Sequence, residues 1–248
     1  MRPARQPPRT SAAPLALVAG APSPIPPATR PPTACRASGR RPPGERRRVE
    51  ALICAVEGIL LQYEPDVEVR IEHDHGLPAG SIRDLMNRPS TLLATIGVVE
   101  KATWLRYAHQ TLPPQAVAQY LAYRGTPNLL VVQLLREAVS AGIRLFSLAN
   151  SMRDDIAHHG LSELPEQVYL SRDLGMATPD PRVFDHILRR QRLRPAQTLV
   201  VDHDGATADA AKQQGMHAHT FTSEAALRAF LNKRNLLTVH GAEEGRLR

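Results

Sequence analysis

The chain has little of what ties down a small secreted protein. Of its 248 residues only Cys35 and Cys54 are cysteine. Two thiols make neither a disulfide framework nor a four-cysteine zinc site. Aromatics are 4% of the residues, so the core must be mostly aliphatic. No apolar run reaches the roughly 18 residues that a bilayer-crossing helix needs. There is no glycine-rich phosphate loop, no Ser-His-Asp arrangement in a nucleophile-elbow context and no zinc-spaced cysteine pair. What remains is globular: 42% hydrophobic and 22% charged residues. The length allows one ordinary domain, or one domain with a small accessory unit.

The net charge of +7 is unevenly spread. Residues 1–48 hold ten arginines, no lysine and one acid, Glu45, for a net +9. The other 200 residues hold 21 basic and 23 acidic side chains, a net −2. The basic character therefore belongs to the tail, and the body gives no charge argument for nucleic acid. Residues 1–44 also carry twelve of the 22 prolines. Such a segment buries too little apolar surface to offset its ordering entropy, so residues 1–48 are expected to be disordered. Three roles stay open: a plain extension or upstream sequence included by start-site choice, a targeting segment around Leu15 to Ala19, or an arginine-rich arm for acidic partners. Arg46-Arg47-Arg48 reads most simply as a solvated flank.

The body alternates strands with helices. Val49 to Leu61 is an apolar run turning at Gly58, the pattern of a buried parallel strand. Residues 62–128 read as helical, interrupted by Pro65, Pro78, Pro89, Pro113, Pro114 and Pro127. A helix over 129–141 leads to a strand over 143–148, and another helix begins at Met152. A short strand covers 167–170. Helix 182–191 places Val183, Phe184, Ile187 and Leu188 on one face. A strand over 198–201 closes at Asp202, helix 206–214 is capped by Gly215, a strand spans 217–221 and a last helix 224–233. The implied fold is α/β, a doubly wound parallel sheet with a small helical cap inserted after the first strand. The expected divisions are the tail 1–48, the core 49–61 plus 129–235, the cap 62–128 and a C-terminal tail 236–248. Ligands of such sheets sit beyond the carboxyl ends of the strands.

At those strand ends the sequence reads Ala55-Val56-Glu57-Gly58, then Ala149-Asn150, then Thr178-Pro179-Asp180-Pro181 with Phe184, then Val200-Val201-Asp202-His203-Asp204 with Gly215-Met216. Order and spacing resemble the haloacid dehalogenase-like (HAD) hydrolase superfamily, in its capped subgroup, over about residues 50–231. The resemblance implies a Rossmann-like core and phosphatase-type chemistry built on four motifs. An Asp-x-Asp-Gly strand end supplies the nucleophile and an acid-base group. A Ser or Thr holds a phosphate oxygen. A lysine neutralises charge, and an acidic pair helps to hold magnesium.

The chemical residues depart from that pattern. The nucleophile position is Ala55, which cannot form an aspartyl phosphate. Glu57 stands where the second Asp would, with a carboxylate moved by one methylene. Ala149 has no hydroxyl for phosphate, and Thr178 offers only a neutral hydrogen bond where the lysine would stand. Asp202 and Asp204 remain as candidate magnesium ligands, with Ala55 and His203 each removing a carboxylate. Magnesium prefers near-octahedral oxygen coordination, so only weak binding is expected. A softer metal on His203, Asp202 and Glu57 is an alternative.

Each candidate has a structural reading beside the chemical one. Asp202 and Asp204 are metal ligands, or a strand end and helix cap. Glu57 is an acid-base group, or a polar residue facing an emptied cleft. Asn150 and Thr178 orient a ligand, or Asn150 caps the following helix. His73 and His75 flank Asp74 in the cap, where neighbours on a helix do not share a face. His158-His159 ends a helix, where a cation suits the dipole. His217 and His219 share a strand face without a third ligand. Trp104 reads as cap core and Cys54 as a buried inert thiol. The expectation is a protein impaired for aspartyl-phosphate chemistry that acts by binding a small-molecule ligand or a protein partner. The alternative is a metal-dependent hydrolase or phosphatase with relocated residues. A cytoplasmic location, no membrane and no nucleic acid for the core are expected; oligomeric state and ligand stay open.

Overall fold

The computed structural model describes residues 49–152 and 155–237. The expected disordered tail over 1–48 and residues 238–248 lie outside the described residues. In chain order, β1 (Ala51–Ala55) and β2 (Leu61–Gln62) precede five helices: α1 (Val67–Asp74), α2 (Ser81–Met86), α3 (Pro89–Thr95), α4 (Lys101–Thr111) and α5 (Pro114–Ala122). Then come β3 (Thr126–Pro127), α6 (Leu129–Ser140), β4 (Arg144–Ala149), α7 (Asp155–His158), β5 (Gln167–Leu170), α8 (Ser171–Leu174) and α9 (Pro181–Gln191). The chain finishes with β6 (Thr198–Asp202), α10 (Gly205–Gln213), β7 (His217–Thr220) and α11 (Glu224–Lys233).

Five strands form one parallel sheet in the order β5-β4-β1-β6-β7. β1 is central and every residue of it is buried, which is why its sequence is apolar without alternation. The register sets Leu52 beside Leu145 and Leu199, and Cys54 beside Ser147 and Val201. Successive side chains point to opposite faces of the sheet. Leu52, Leu145, Leu199 and Val201 pack with Leu135 of α6 and Leu227 of α11. Ile53, Phe146, Leu148 and Val200 pack with Val183, Phe184, Ile187 and Leu188 of α9. The helices thus cover both faces, as a doubly wound sheet requires.

Several details differ from the sequence reading. The first strand ends at Ala55 rather than at Gly58, with the Val56 N–H still donating to the Leu148 carbonyl of β4 at 2.9 Å. The chain then turns through Gly58 at φ +74°, and the Leu61 N–H returns to the Val56 carbonyl at 2.9 Å. Strands β2 and β3 pair antiparallel at the junction with the inserted helices. Residues 236–237, assigned to the C-terminal tail on sequence grounds, are Leu236 and Leu237 and are buried in the core.

Helices α1–α5 surround their own core of Ile71, Ile82, Leu85, Trp104, Ala108 and Val117. Pro89 and Pro114 open α3 and α5, where a missing N–H costs nothing. The buried Glu72 accepts the N–H groups of Gly80 at 2.9 Å and Ile82 at 2.8 Å. A carboxylate there satisfies the free amides at the start of α2 and complements its dipole. Trp104 is fully buried, with Nε1 donating to Thr91 Oγ1 at 2.9 Å. It belongs to the interior of the cap, not to a ligand platform. Among the described residues no helix is long and apolar enough to cross a membrane.

Candidate functional site

The carboxyl ends of β1, β4 and β6 lie side by side, so their loops converge. β1 delivers Ala55, buried at 7% exposure, with no reactive group. Two residues on, Glu57 Oε2 accepts the backbone N–H of Asn150 at 3.1 Å. The Asn150 side chain fastens three loops together. Its Nδ2 donates to the Thr178 carbonyl at 3.2 Å and to Thr178 Oγ1 at 2.7 Å. Its Oδ1 accepts from the Thr178 N–H at 3.3 Å and from Ser171 Oγ at 2.5 Å. Both donor hydrogens and both lone pairs of the amide are thereby used. The side chain of Asn150 braces the Thr178 loop.

On the other side of β1, burial pushes the Asp202 carboxyl above its ordinary value of 3.8. Asp202 Oδ1 accepts the Asp204 N–H at 2.8 Å, and His203 Nδ1 lies 3.4 Å away. The His203 ring covers Gly58: a Cβ added there would meet the ring at 3.0 Å. Asp204 caps α10, accepting from the Ala206 N–H at 3.1 Å, the Thr207 N–H at 3.2 Å and Thr207 Oγ1 at 2.9 Å. The Ala206 bond, first among these, holds the Asp204 carboxyl below the usual carboxylate range. Cys54 is fully buried, and burial raises its thiol pKa far enough to keep it un-ionised.

The fold implies a magnesium site here, and the residues present do not fit one. Magnesium takes oxygen ligands in near-octahedral geometry, usually with at least one carboxylate free to bind it. Asp204 spends both oxygens on the start of α10, Asp202 Oδ1 is taken by the Asp204 N–H, and Ala55 contributes none. Among the described residues no three His, Cys, Asp or Glu side chains converge as a metal set.

A cleft of about 490 Å³ opens between the sheet end and the inserted helices. Glu57, Asn150, Ser151 and Met152 form the core side; Tyr63, Val67, Arg83, Met86, Tyr120 and Tyr123 are among the residues facing them. The structure therefore brings Glu57, Asn150 and Thr178 into one bonded cluster, two of which line the cleft. Asp202 and Asp204 lie beyond its lining.

Sequence reasoning missed Ser171, whose buried hydroxyl also donates to the Ala149 carbonyl at 3.1 Å. It directly follows β5, so the strand-end rule applied to that strand would have found it. It also missed Asp155, Tyr63 and Arg124, which meet from distant parts of the chain and carry no local signal.

No family model matches the sequence. Solved structures do match the fold. A HAD family enzyme from Bacteroides thetaiotaomicron, solved as an aspartate-to-alanine variant with magnesium and inorganic phosphate, is 16% identical with a TM-score of 0.60. The match covers 70% of this chain and 94% of that one. A HAD-like hydrolase from Porphyromonas gingivalis is 16% identical with a TM-score of 0.62, over 75% and 98% of the two chains. L-2-haloacid dehalogenase from Xanthobacter autotrophicus, with chloropropionic acid covalently bound, is 19% identical with a TM-score of 0.52, over 77% and 85%. Likeness at this level of identity shows the fold alone, a parallel α/β core of the kind found in those hydrolases.

Proposed function

We propose that this HAD-fold protein has lost aspartyl-phosphate chemistry and binds a small organic molecule in the cleft between core and cap. One observation carries the reading: a cleft is formed beside the end of the sheet, yet β1 ends in a buried Ala55 where a nucleophile would stand. The neighbouring losses point the same way. Ala149 has no hydroxyl for a phosphate oxygen. Thr178 is bonded to Asn150 and carries no cation. Val67, Met86, Leu121 and Met152 suit an apolar body, and Tyr63, Tyr120 and Tyr123 add aromatic surface with polar tips. Glu57, Glu64, Glu68 and Arg83 add charge, so the lining joins apolar surface to polar groups that would orient a ligand.

The similar Bacteroides enzyme holds magnesium and phosphate as an aspartate-to-alanine variant. That supports the view that a HAD-like cleft keeps a binding role without a full set of carboxylates. The test is phosphate release from a panel of phosphate esters by the full chain with magnesium, run beside Asp202→Ala and a thermal-shift screen of small organic molecules. No turnover is expected, with stabilisation of about 2.7 kcal/mol by a ligand present at a hundred times its Kd. Turnover that disappears in Asp202→Ala would instead establish a hydrolase with relocated chemistry.

A further inference from the structure

We infer that Asp155 is a positioning residue that fixes the cleft wall by anchoring both strands that join the cap to the core. This deepens the proposed binding role and rests on the cleft being the ligand site. Asp155 opens α7 and is 3% exposed. Its two carboxylate oxygens take different donors: Oδ2 accepts from Tyr63 Oη at 2.9 Å and Oδ1 from Arg124 Nη1 at 2.9 Å. Tyr63 is the residue after β2, and Arg124 stands two before β3. Leu61 pairs with Pro127 and Gln62 with Thr126, so the two donors flank one short ribbon. Through that ribbon the chain leaves the core and returns.

Other contacts tighten the same node. The Arg124 carbonyl lies 3.2 Å from His159 Nε2, just beyond α7. The Glu64 N–H donates to Tyr123 Oη at 3.1 Å. The Tyr63 and Tyr123 rings meet edge to face at 6.0 Å, and both line the cleft. Asp155 therefore holds two of the three tyrosines of the wall, Tyr63 directly and Tyr123 through the neighbouring Arg124. A buried carboxylate is costly unless it is paired and hydrogen-bonded. Any cap movement that withdraws Tyr63 or Arg124 takes a donor from that carboxylate, so both attachments favour the same cap position.

The test is amide hydrogen exchange on the full chain, without ligand, for native protein, Asp155→Asn, Arg124→Gln and the double variant. Asp155→Asn keeps an acceptor for Tyr63 and discards the ion pair. Arg124→Gln removes the cation and leaves the buried acid bonded to Tyr63. Either single change is expected to speed exchange over residues 61–66 and 120–127 by about tenfold, as loss of a charge-assisted hydrogen bond implies, with β1 unchanged. The double variant removes the buried acid's charge together with the cation and is expected to exchange more slowly there than Arg124→Gln. Unchanged exchange in the two segments, or equal acceleration in β1, would overturn the inference. Because no ligand is present, this outcome is independent of the phosphate-release and thermal-shift tests. Accelerated exchange alongside an empty ligand screen would keep the anchoring role and reject the binding role.

Discussion

Glu57 and Asn150 tie the ends of the two central strands together: the Glu57 carboxylate accepts the Asn150 N–H across the gap between β1 and β4. An amide bonded to a charged acceptor contributes more than one bonded to a neutral acceptor, about 1.5–3 against about 1 kcal/mol. Glu57→Gln is therefore expected to cost about 1 kcal/mol, and Glu57→Ala about 2–3 kcal/mol. Urea unfolding checks both. Equal losses in the two variants would mean that the charge, not the contact, is what matters.

Asp202 and Asp204 should answer to pH with opposite signs. Burial raises the Asp202 pKa above its ordinary 3.8, so the native state binds this proton more tightly than the unfolded chain does. Its charged form then opposes folding, and its contribution falls as pH rises from about 3.8 through the raised value. Asp202→Asn keeps an oxygen for the Asp204 N–H and removes that penalty. It should be neutral to stabilising at pH 7, with the difference fading near pH 4. The Asp204 carboxyl is held low by the α10 amides, so its contribution is present above 3.8 and lost as pH falls below it. Asp204→Ala is expected to cost about 1 kcal/mol at pH 7, as loss of a helix cap does. Melting curves across pH 3–8 separate the two. An Asp202→Asn variant less stable than native at pH 7 would contradict the burial argument.

The centre of the sheet was legible in the sequence because β1, β4 and β6 are mostly apolar runs buried on both faces. Helix α9 was legible because Val183, Phe184, Ile187 and Leu188 recur at helical spacing, and all four are buried. The strand-end positions followed from topology alone. The β2–β3 ribbon was not legible, because two residues on each side give no period. Neither was the Asn150 brace, whose partners Ser171 and Thr178 lie 21 and 28 residues away. Asp155 was hidden for another reason: nothing local marks an acid as buried, and its partners lie 92 and 31 residues away.

Gly97 sets how closely the cap meets the core. It sits at φ +75°, and a Cβ there would stand 2.5 Å from the backbone carbonyl of Arg172 in α8. A backbone atom cannot swing aside as a side chain does, so Gly97→Ala must push the loop after α3 off the core. The left-handed backbone adds strain of its own. A loss of about 1–3 kcal/mol is expected in denaturant unfolding. Gly142→Ala is the control: it has φ +87° with nothing within 4 Å of the added carbon. Its loss should be smaller, and equal losses would mean that the contact with Arg172 contributes nothing.

Ala55→Asp restores a carboxylate where the fold would carry its nucleophile. Cys54 pairs with Val201, so residue 55 and Asp202 are the next positions on adjacent strands. The new acid would be nearly buried beside a buried acid, and like charges at such a site raise each other's pKa. The variant should be less stable than native at pH 7 by about 1–3 kcal/mol and should recover as pH falls toward 4. Magnesium should offset part of the loss, because paired carboxylates make the oxygen site that the native chain lacks. At ten times its Kd the ion would contribute about 1.4 kcal/mol, read as a rise in Tm that native protein does not show. Phosphate turnover should still be absent, since Ala149 offers no hydroxyl and Thr178 no cation to the phosphoryl group. Turnover by this single variant would show that those two positions do not limit the chemistry. An equal magnesium shift in native protein would show that its own acids already make a metal site.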